Sequence, residues 1–408
     1  MLVNQGNLEE IMLHQLEGSR AIAKAVALCR PNLICAYPIT PQTHIVEELG
    51  EIVRSGELQN CEYLNVESEM AAISATIGSQ AAGVRSYTAT SSQGLLHMVE
   101  AVYNASGLDL PIVMTIGNRA IGSPINIWND HSDAMAVRDA GWIMLFAESN
   151  QEAVNLHIQA FRIAETVKCP VMVCVDGFIL THAFERVNIP DQKEVDEFLP
   201  TYKQHITMDP VTPLAIGAMV PPEYFMEVRY MAHLKQQKSI SVIEQVRDKF
   251  SDKFGGNSSG LFHKYNAQDV ETIVVTMGSV AGTIRDVVDD INCKHGNKFG
   301  VLTLISYRPF PQDAIREILK SAKKVFVVEK AFAVGIGGIL AQEIKLSLLR
   351  TNVPVISIIA GLGGKPITKS MLFDCLLENH QRDTKFLGLN DGLVKKKCSF
   401  AGDCCTNN

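Results

Sequence analysis

Four stretches of the chain gather the residue types that hold protons and anions. They are Tyr37-Pro38-Ile39-Thr40-Pro41-Gln42-Thr43, Val66-Glu67-Ser68-Glu69-Met70-Ala71-Ala72, Thr88-Ala89-Thr90-Ser91-Ser92-Gln93-Gly94, and Asn118-Arg119. Each sits where an apolar, β-rich run stops, and in an open parallel sheet ligands bind at the carboxyl ends of strands. A carboxyl group in apolar surroundings there has a raised pKa and can keep a proton. An arginine offers a planar fork that matches a carboxylate with two parallel hydrogen bonds. Every stretch also has an ordinary reading. Thr40 can cap a helix that starts at Pro41, Glu69 can complement a helix dipole, Ser91-Ser92-Gln93-Gly94 can be a turn, and Arg119 can sit in a surface salt bridge.

The elements that must position these residues are legible as alternation. Short apolar runs at Leu33 to Tyr37, Glu62 to Val66, Arg85 to Thr88, Ile112 to Ile116, Ile143 to Ala147 and Val171 to Val175 read as strands, with helical patterns between them. One helix carries Val154, Ile158 and Phe161 on one face and is introduced by Ser149-Asn150-Gln151-Glu152, a capping-box pattern. Strand, helix, strand at this spacing predicts βαβ units and a parallel sheet. Prolines from Pro190 to Pro222 break the rhythm before a long charged helix from about Glu223 to Phe254, and Gly255-Gly256-Asn257-Ser258-Ser259-Gly260 reads as a flexible loop. The alternation resumes at Ile273 to Met277, Val301 to Ile305, Val325 to Glu329 and Val355 to Ile359. The expected class is therefore α/β with two parallel-sheet domains. Their bounds fall at 1–255 with the connecting region, 256–390, and a tail at 391–408.

Composition excludes several classes. Hydrophobic residues make 47% of the 408, charged residues 20%, and the net charge of -7 comes without a basic run, so nucleic acid finds no electrostatic footprint. No apolar run is long enough to span a bilayer and the start lacks a signal-peptide pattern, which predicts no membrane partner and a cytoplasmic protein. The ten cysteines form no C-x-x-C pair and read as reduced, with Cys398, Cys404 and Cys405 of the tail left open. Gly335-Ile336-Gly337-Gly338 and Gly361-Leu362-Gly363-Gly364 miss the third glycine of a dinucleotide fingerprint, having Leu340 and Pro366 there, and read as tight turns.

Taken in order, the four stretches resemble the alpha subunit of the 2-oxoacid:ferredoxin oxidoreductases. Tyr37-Pro38-Ile39-Thr40-Pro41 is similar to the family's substrate-end turn, Glu67-Ser68-Glu69 to its thiamine-contacting segment, and Thr90-Ser91-Ser92-Gln93-Gly94-Leu95 to the loop and helix beside it. Pro124-Ile125-Asn126-Ile127-Trp128-Asn129-Asp130-His131-Ser132-Asp133, followed by Arg138-Asp139 and Gly141-Trp142, resembles the pyruvate branch. Tyr307-Arg308-Pro309-Phe310-Pro311 and the Gly361 to Gly364 turn agree, although Lys365-Pro366 stands where the family often has Arg-Asp.

The resemblance implies a pyrimidine-binding-type thiamine diphosphate domain followed by a transketolase C-terminal-like domain. Thiamine diphosphate reacts through a C2 carbanion that forms when a carboxyl group hydrogen-bonds its aminopyrimidine ring. By resemblance that residue is Glu69, with Glu67 as the fallback, and Ser92 and Gln93 lie beside the cofactor. Arg119 pairs with the 2-oxoacid carboxylate and Thr40 donates its hydroxyl to the same end. No metal ligand is expected in this chain. Asn390-Asp391-Gly392 lies too near the end for a magnesium-diphosphate motif, so Mg2+ and 4Fe-4S clusters belong to partner subunits of beta, gamma and delta type. The expected reaction joins pyruvate and coenzyme A with reduction of ferredoxin. The alternatives are the same chemistry on a branched-chain, aryl or 2-oxoglutarate substrate, or a non-catalytic scaffold subunit.

Overall fold

Residues that alternate between two apolar faces over four to six positions become strands buried on both sides, and the chain uses this device twice. The computed structural model describes residues 13–204, 206–256, 260–296 and 298–400, with backbone alone at 397–400. The first sheet contains β2 (Leu33–Ala36), β3 (Glu62–Asn65), β4 (Ser86–Thr90), β5 (Val113–Asn118), β6 (Ile143–Phe146) and β7 (Val171–Asp176), all parallel. The expected strands are present, with β4 and β5 running two residues further toward their carboxyl ends than the apolar runs alone predict.

Period-two burial explains the layers. Val171, Val173 and Val175 of β7 face one core with the helices Gly18–Leu28, Thr43–Arg54 and Asn150–Val167, while Met172 and Cys174 face another. That second core is shared, because Val275, Leu302 and Val327 of the second sheet pack into it. The second sheet is built from β9 (Phe262–Tyr265), β10 (Thr272–Met277), β11 (Phe299–Leu304), β13 (Lys324–Glu329), the strand Val355–Ile359 and the edge strand Thr384–Phe386. All are parallel except β9, which runs antiparallel to β11.

Three features escaped the alternation. β1 (Leu13–Glu17) pairs antiparallel with β8 (Phe184–Asn188) as a separate ribbon. The three-residue β12 (Ser306–Arg308) leaves the second half of the chain and closes the edge of the first sheet beside β6. The sheets are thus tied by a strand as well as by a core. Ser149 caps the helix at Asn150 through Glu152 N–H, but the Glu152 carboxylate accepts from Glu148 N–H, one residue before the capping-box position.

The long helix is Pro222–Phe254. Its second half buries Val242, Ile243, Val246 and Phe250, whereas Tyr224, Phe225, Met226, Tyr230 and Met231 in its first half are exposed. Of the expected Gly255 to Gly260 loop, residues 257–259 lie outside the described residues, as do 401–408. The stretch expected as a tail begins with the helix Asp391–Phe400. The seven described cysteines are free, and Cys404, Cys405 and the side chain of Cys398 fall outside the description. Among the described residues no helix is long and apolar enough to cross a membrane.

Candidate active site

Strand order places the four polar stretches together. In the first sheet β5, β4, β2 and β3 are consecutive neighbours running in one direction, so their carboxyl ends form a single rim. Buried Gln42 holds the first stretch in place, donating from Nε2 to Tyr37 O and Ala89 O at 2.9 Å each. Thr40 does not cap the next helix, which starts at Thr43. It is exposed, and its carbonyl accepts from Arg119 Nη1 at 2.8 Å.

Glu69 opens the helix Glu69–Ala81, whose N-cap Ser68 accepts from Ala71 N–H at 3.2 Å. Because the helix begins here, the Glu69 carboxyl turns inward and is only 8% exposed, while Glu67 is exposed. Its Oε2 meets His97 Nδ1 at 3.2 Å, and among the described residues Oε1 has no hydrogen-bond partner. Gly94 allows this placement, since a Cβ there would lie 2.7 Å from Glu69 Oε1 and 2.4 Å from Thr90 Oγ1. Thr90 Oγ1 and Ser91 Oγ nearby are buried without hydrogen-bond partners.

Arg119 follows β5 and is 6% exposed. Its guanidinium donates to Thr40 O, to Asn126 O at 3.3 Å and to Gln93 Oε1 at 3.5 Å, all neutral acceptors. Among the described residues it has no carboxylate within ion-pair distance, so the surface salt bridge is not formed. Burial lowers the pKa of the guanidinium from its ordinary value, and Asp133 nearby opposes that. Ser92 begins the helix Ser92–His97 with φ of 48°, a left-handed conformation that is strained for a residue with a Cβ. Its hydroxyl donates to Ala120 O at 2.5 Å and reaches Gln93 Oε1 at the same distance. Thr40, Ser92, Gln93 and Arg119 are therefore joined by hydrogen bonds, and Glu69 lies on the same rim against Gly94.

Sequence reasoning missed the residue beneath them. Asp133 is fully buried and accepts from Ser92 N–H and Arg119 N–H at 3.0 Å each, from Asn118 Nδ2 at 2.9 Å and from Ala134 N–H at 2.8 Å. Burial pushes its carboxyl up to about 6 despite these donors. An aspartate opening the short helix Ser132–Ala136 was the available signal. Also unforeseen was a buried ionic group between the sheets. Asp176, at the end of β7, meets His131 Nε2 and Lys330 Nζ at 2.6 Å each, and Lys330 donates to Asn129 Oδ1 at 3.0 Å. Burial alone would raise the Asp176 carboxyl, but Lys330 and His131 hold it well below its ordinary value.

The glycine-rich turn after β13 has no room for a nucleotide phosphate. Glu329 occupies the N-terminus of the helix Ile339–Ser347, accepting from Leu340 N–H at 2.7 Å and Ala341 N–H at 3.2 Å. Gly338 makes way for it, since a Cβ there would collide with Glu329 Oε1. This is the tight turn that the missing third glycine predicts.

Comparison with known proteins agrees with this arrangement. Residues 24–248 match the family described as pyruvate flavodoxin/ferredoxin oxidoreductase, thiamine diphosphate-binding, and residues 270–372 match the pyruvate:ferredoxin oxidoreductase core domain II. The chain is 46% identical over 357 residues to the pyruvate synthase subunit PorA of Methanosarcina barkeri, covering 86% of this chain and 89% of that one. It is 43% identical to the same subunit of Methanothermobacter thermautotrophicus, over 93% and 99% of the two chains. The ketoisovalerate oxidoreductase subunit VorA of Pyrococcus horikoshii is 39% identical over 86% of this chain and 90% of its own. A solved 2-oxoglutarate:ferredoxin oxidoreductase from Magnetococcus marinus shares the fold with a TM-score of 0.69 at 20% identity, over 89% of this chain and 64% of that one. With two family models covering most of its length and relatives above 40% identity along nearly all of it, the chain belongs to the pyruvate:ferredoxin oxidoreductase family.

Proposed function

We propose that this chain is the alpha-type subunit of a complex that oxidatively decarboxylates pyruvate with coenzyme A, giving acetyl-CoA and carbon dioxide and reducing ferredoxin, in a reversible reaction. It contributes the aminopyrimidine and substrate half of a thiamine diphosphate site. The observation that carries the reading is Arg119, a buried cation bonded only to neutral acceptors on the same rim as a buried carboxyl. Its guanidinium makes no ion pair, since Asp133 meets only its backbone N–H, and an anionic substrate would supply one.

The residues present fit the aminopyrimidine end of the cofactor. Glu69 Oε1 and the hydroxyls of Thr90 and Ser91 are polar atoms without partners, and the missing Cβ of Gly94 lets the Glu69 carboxyl lie beside them. Thiamine diphosphate, when bound, supplies the nucleophilic carbon that adds to the 2-oxoacid carbonyl. Glu69 would hold a proton at Oε1 for a ring nitrogen, while His97 at Oε2 fixes the plane of the carboxyl. Ser92 and Gln93 would line the cofactor side. Arg119 and the Thr40 hydroxyl would hold the substrate carboxylate in line.

The relatives are named as subunits, which supports partner chains; in this reading these are of beta, gamma and delta type, carry Mg2+ and the 4Fe-4S clusters, and pass electrons to ferredoxin in the cytoplasm. The domain division belongs to the same reading, with the pyrimidine-binding-type unit ending near residue 255 and the second unit spanning 256–390. A branched-chain 2-oxoacid is the second reading, favoured by the ketoisovalerate relative. Turnover of the purified complex on both substrates decides between them.

Glu69→Gln in the reconstituted complex is the central test. It should leave assembly intact and lower turnover at least about a hundredfold, the range for a lost acid-base group. Turnover within about tenfold of the unaltered complex would point to a scaffold subunit instead.

A further inference from the structure

The direction of the Arg119 guanidinium is set partly from the other half of the chain. Of its three acceptors, Thr40 O and Gln93 Oε1 belong to the rim, and the third, Asn126 O, belongs to the loop that follows β5. The Asn126 side chain reaches across to the second sheet, where Nδ2 donates to Gly363 O at 3.1 Å. The Gly361 to Gly364 turn answers with two amides, Gly363 N–H to Asp130 Oδ2 at 3.0 Å and Gly364 N–H to Asn129 O at 2.7 Å. Both glycines are left-handed, with φ of 57° and 78°. A Cβ at Gly363 would lie 2.5 Å from Asn126 Nδ2, and one at Gly364 would lie 2.4 Å from Trp128 Cβ. The approach therefore needs glycine twice over, for backbone conformation and for space. Lys330 anchors the end of the loop through Asn129, and His131 N–H donates to Lys330 O at 3.0 Å.

We propose that Asn126 and Gly363 are positioning residues for the substrate, the second domain using its glycine turn to aim Arg119 at the 2-oxoacid carboxylate. This rests on the reading of Arg119 given above. The physical basis is the narrow tolerance of a bidentate pair. A lysine charge can wander, but the arginine fork delivers two parallel hydrogen bonds only when its plane is held. Asn126 O meets Nε, the atom that fixes the plane relative to the side-chain stem. If the tether to Gly363 is lost, that carbonyl moves with its loop and the fork loses its third restraint. Misplacement of a binding group by about 1 Å can cost on the order of a hundredfold.

The test uses the reconstituted complex and four variants: Arg119→Lys, Asn126→Ala, Gly363→Ala and the double Asn126→Ala/Gly363→Ala. KM for pyruvate, kcat at saturation and thermal unfolding are measured for each. The expected result is a rise in KM of about tenfold in Asn126→Ala, with kcat within about twofold and an unchanged unfolding temperature. Gly363→Ala should raise KM as well, although it lies in the other domain and touches no substrate. The double variant should resemble Asn126→Ala in KM, because the tether through which Gly363 acts is then already gone, while the left-handed strain of the alanine shows in its unfolding temperature alone. A KM that rises in Arg119→Lys but not in Asn126→Ala would overturn the positioning role alone. Lower thermal stability with unchanged KM in Asn126→Ala would reduce it to a structural contact. KM effects that multiply in the double variant would show that the two residues act independently, which also overturns it. An unchanged KM in Arg119→Lys would remove the arginine reading and this proposal together.

Discussion

Asp133 organises the rim although it touches nothing that reacts. Its two oxygens accept four donors, and Oδ2 serves the backbone N–H groups of both Ser92 and Arg119. Those two residues lie on neighbouring strand ends, so one carboxylate oxygen fixes their spacing. An asparagine is nearly isosteric but presents an NH2 to one pair of donors, whichever way it turns. Turned toward Ser92 and Arg119 it leaves two buried N–H groups without an acceptor, and turned toward Asn118, whose unpartnered Oδ1 can flip to accept, it leaves Ala134 N–H without one, at about 1–3 kcal/mol each. Asp133→Asn is accordingly expected to lower stability by about 1–3 kcal/mol and raise KM together, as read by thermal unfolding and steady-state turnover. An unfolding temperature within about 2 °C of the unaltered protein would refute this account of the rim. Gly94 belongs to the same scale, since its missing Cβ is what allows the Glu69 carboxyl to lie where it does.

At the scale of elements, the helix Ile339–Ser347 is capped by a carboxylate from the preceding strand. Burial pushes Glu329 from 4.5 up to about 7, against the N–H groups of Leu340 and Ala341 and the Ser357 hydroxyl, which favour its charged form. The folded value lies above the unfolded one, so between them the folded state binds the extra proton. The contribution of this group to stability is therefore full below about pH 4.5 and is lost as pH rises through about 7. Glu329→Gln mimics the protonated acid and removes that dependence. The stability difference between the unaltered chain and Glu329→Gln should shift by on the order of 3 kcal/mol across that window. Chemical denaturation at a series of pH values measures it, and a difference that stays flat from about pH 4.5 to 7.5 would rule the shift out.

On the proposed reading, the whole molecule contributes one half of a cofactor site. Glu69 and Arg119 converge on a rim made by one sheet, while the second sheet braces that rim through the shared core, β12 and the Asp176–Lys330 ion pair. Of the second domain's two glycine turns, the one at Gly338 is filled by its own Glu329 and the one at Gly363 is met by Asn126 of the first. If the chain holds the aminopyrimidine side alone, as proposed, the isolated chain is expected to bind thiamine diphosphate weakly, even with magnesium. Titration calorimetry on the chain alone checks this. Tight, magnesium-dependent binding there would mean that a complete site exists in one polypeptide.

Much of this architecture is written in local sequence. A strand buried on both faces is a continuous apolar run, so Val171–Asp176 or Thr272–Met277 announces itself, and 3.6-residue periodicity announces the helix Asn150–Val167. The polar residues that interrupt such runs at their carboxyl ends mark the rim, and resemblance to a family assigned their roles. Resemblance preferred Glu69 to Glu67 and the Ser68 cap agrees with a helix that starts there, but the inward placement of the Glu69 carboxyl was decided by tertiary structure, through the missing Cβ of Gly94. Tertiary structure alone decided that three residues at Ser306–Arg308 join a sheet built more than a hundred residues earlier, too short a strand to carry any period. The same holds for Asp133 under the rim, Lys330 against Asp176, and Asn126 against Gly363, 237 positions away. Each is a hydrogen bond between groups whose separation along the chain leaves no pattern in the sequence, and only folding brings them within 3 Å or so of each other.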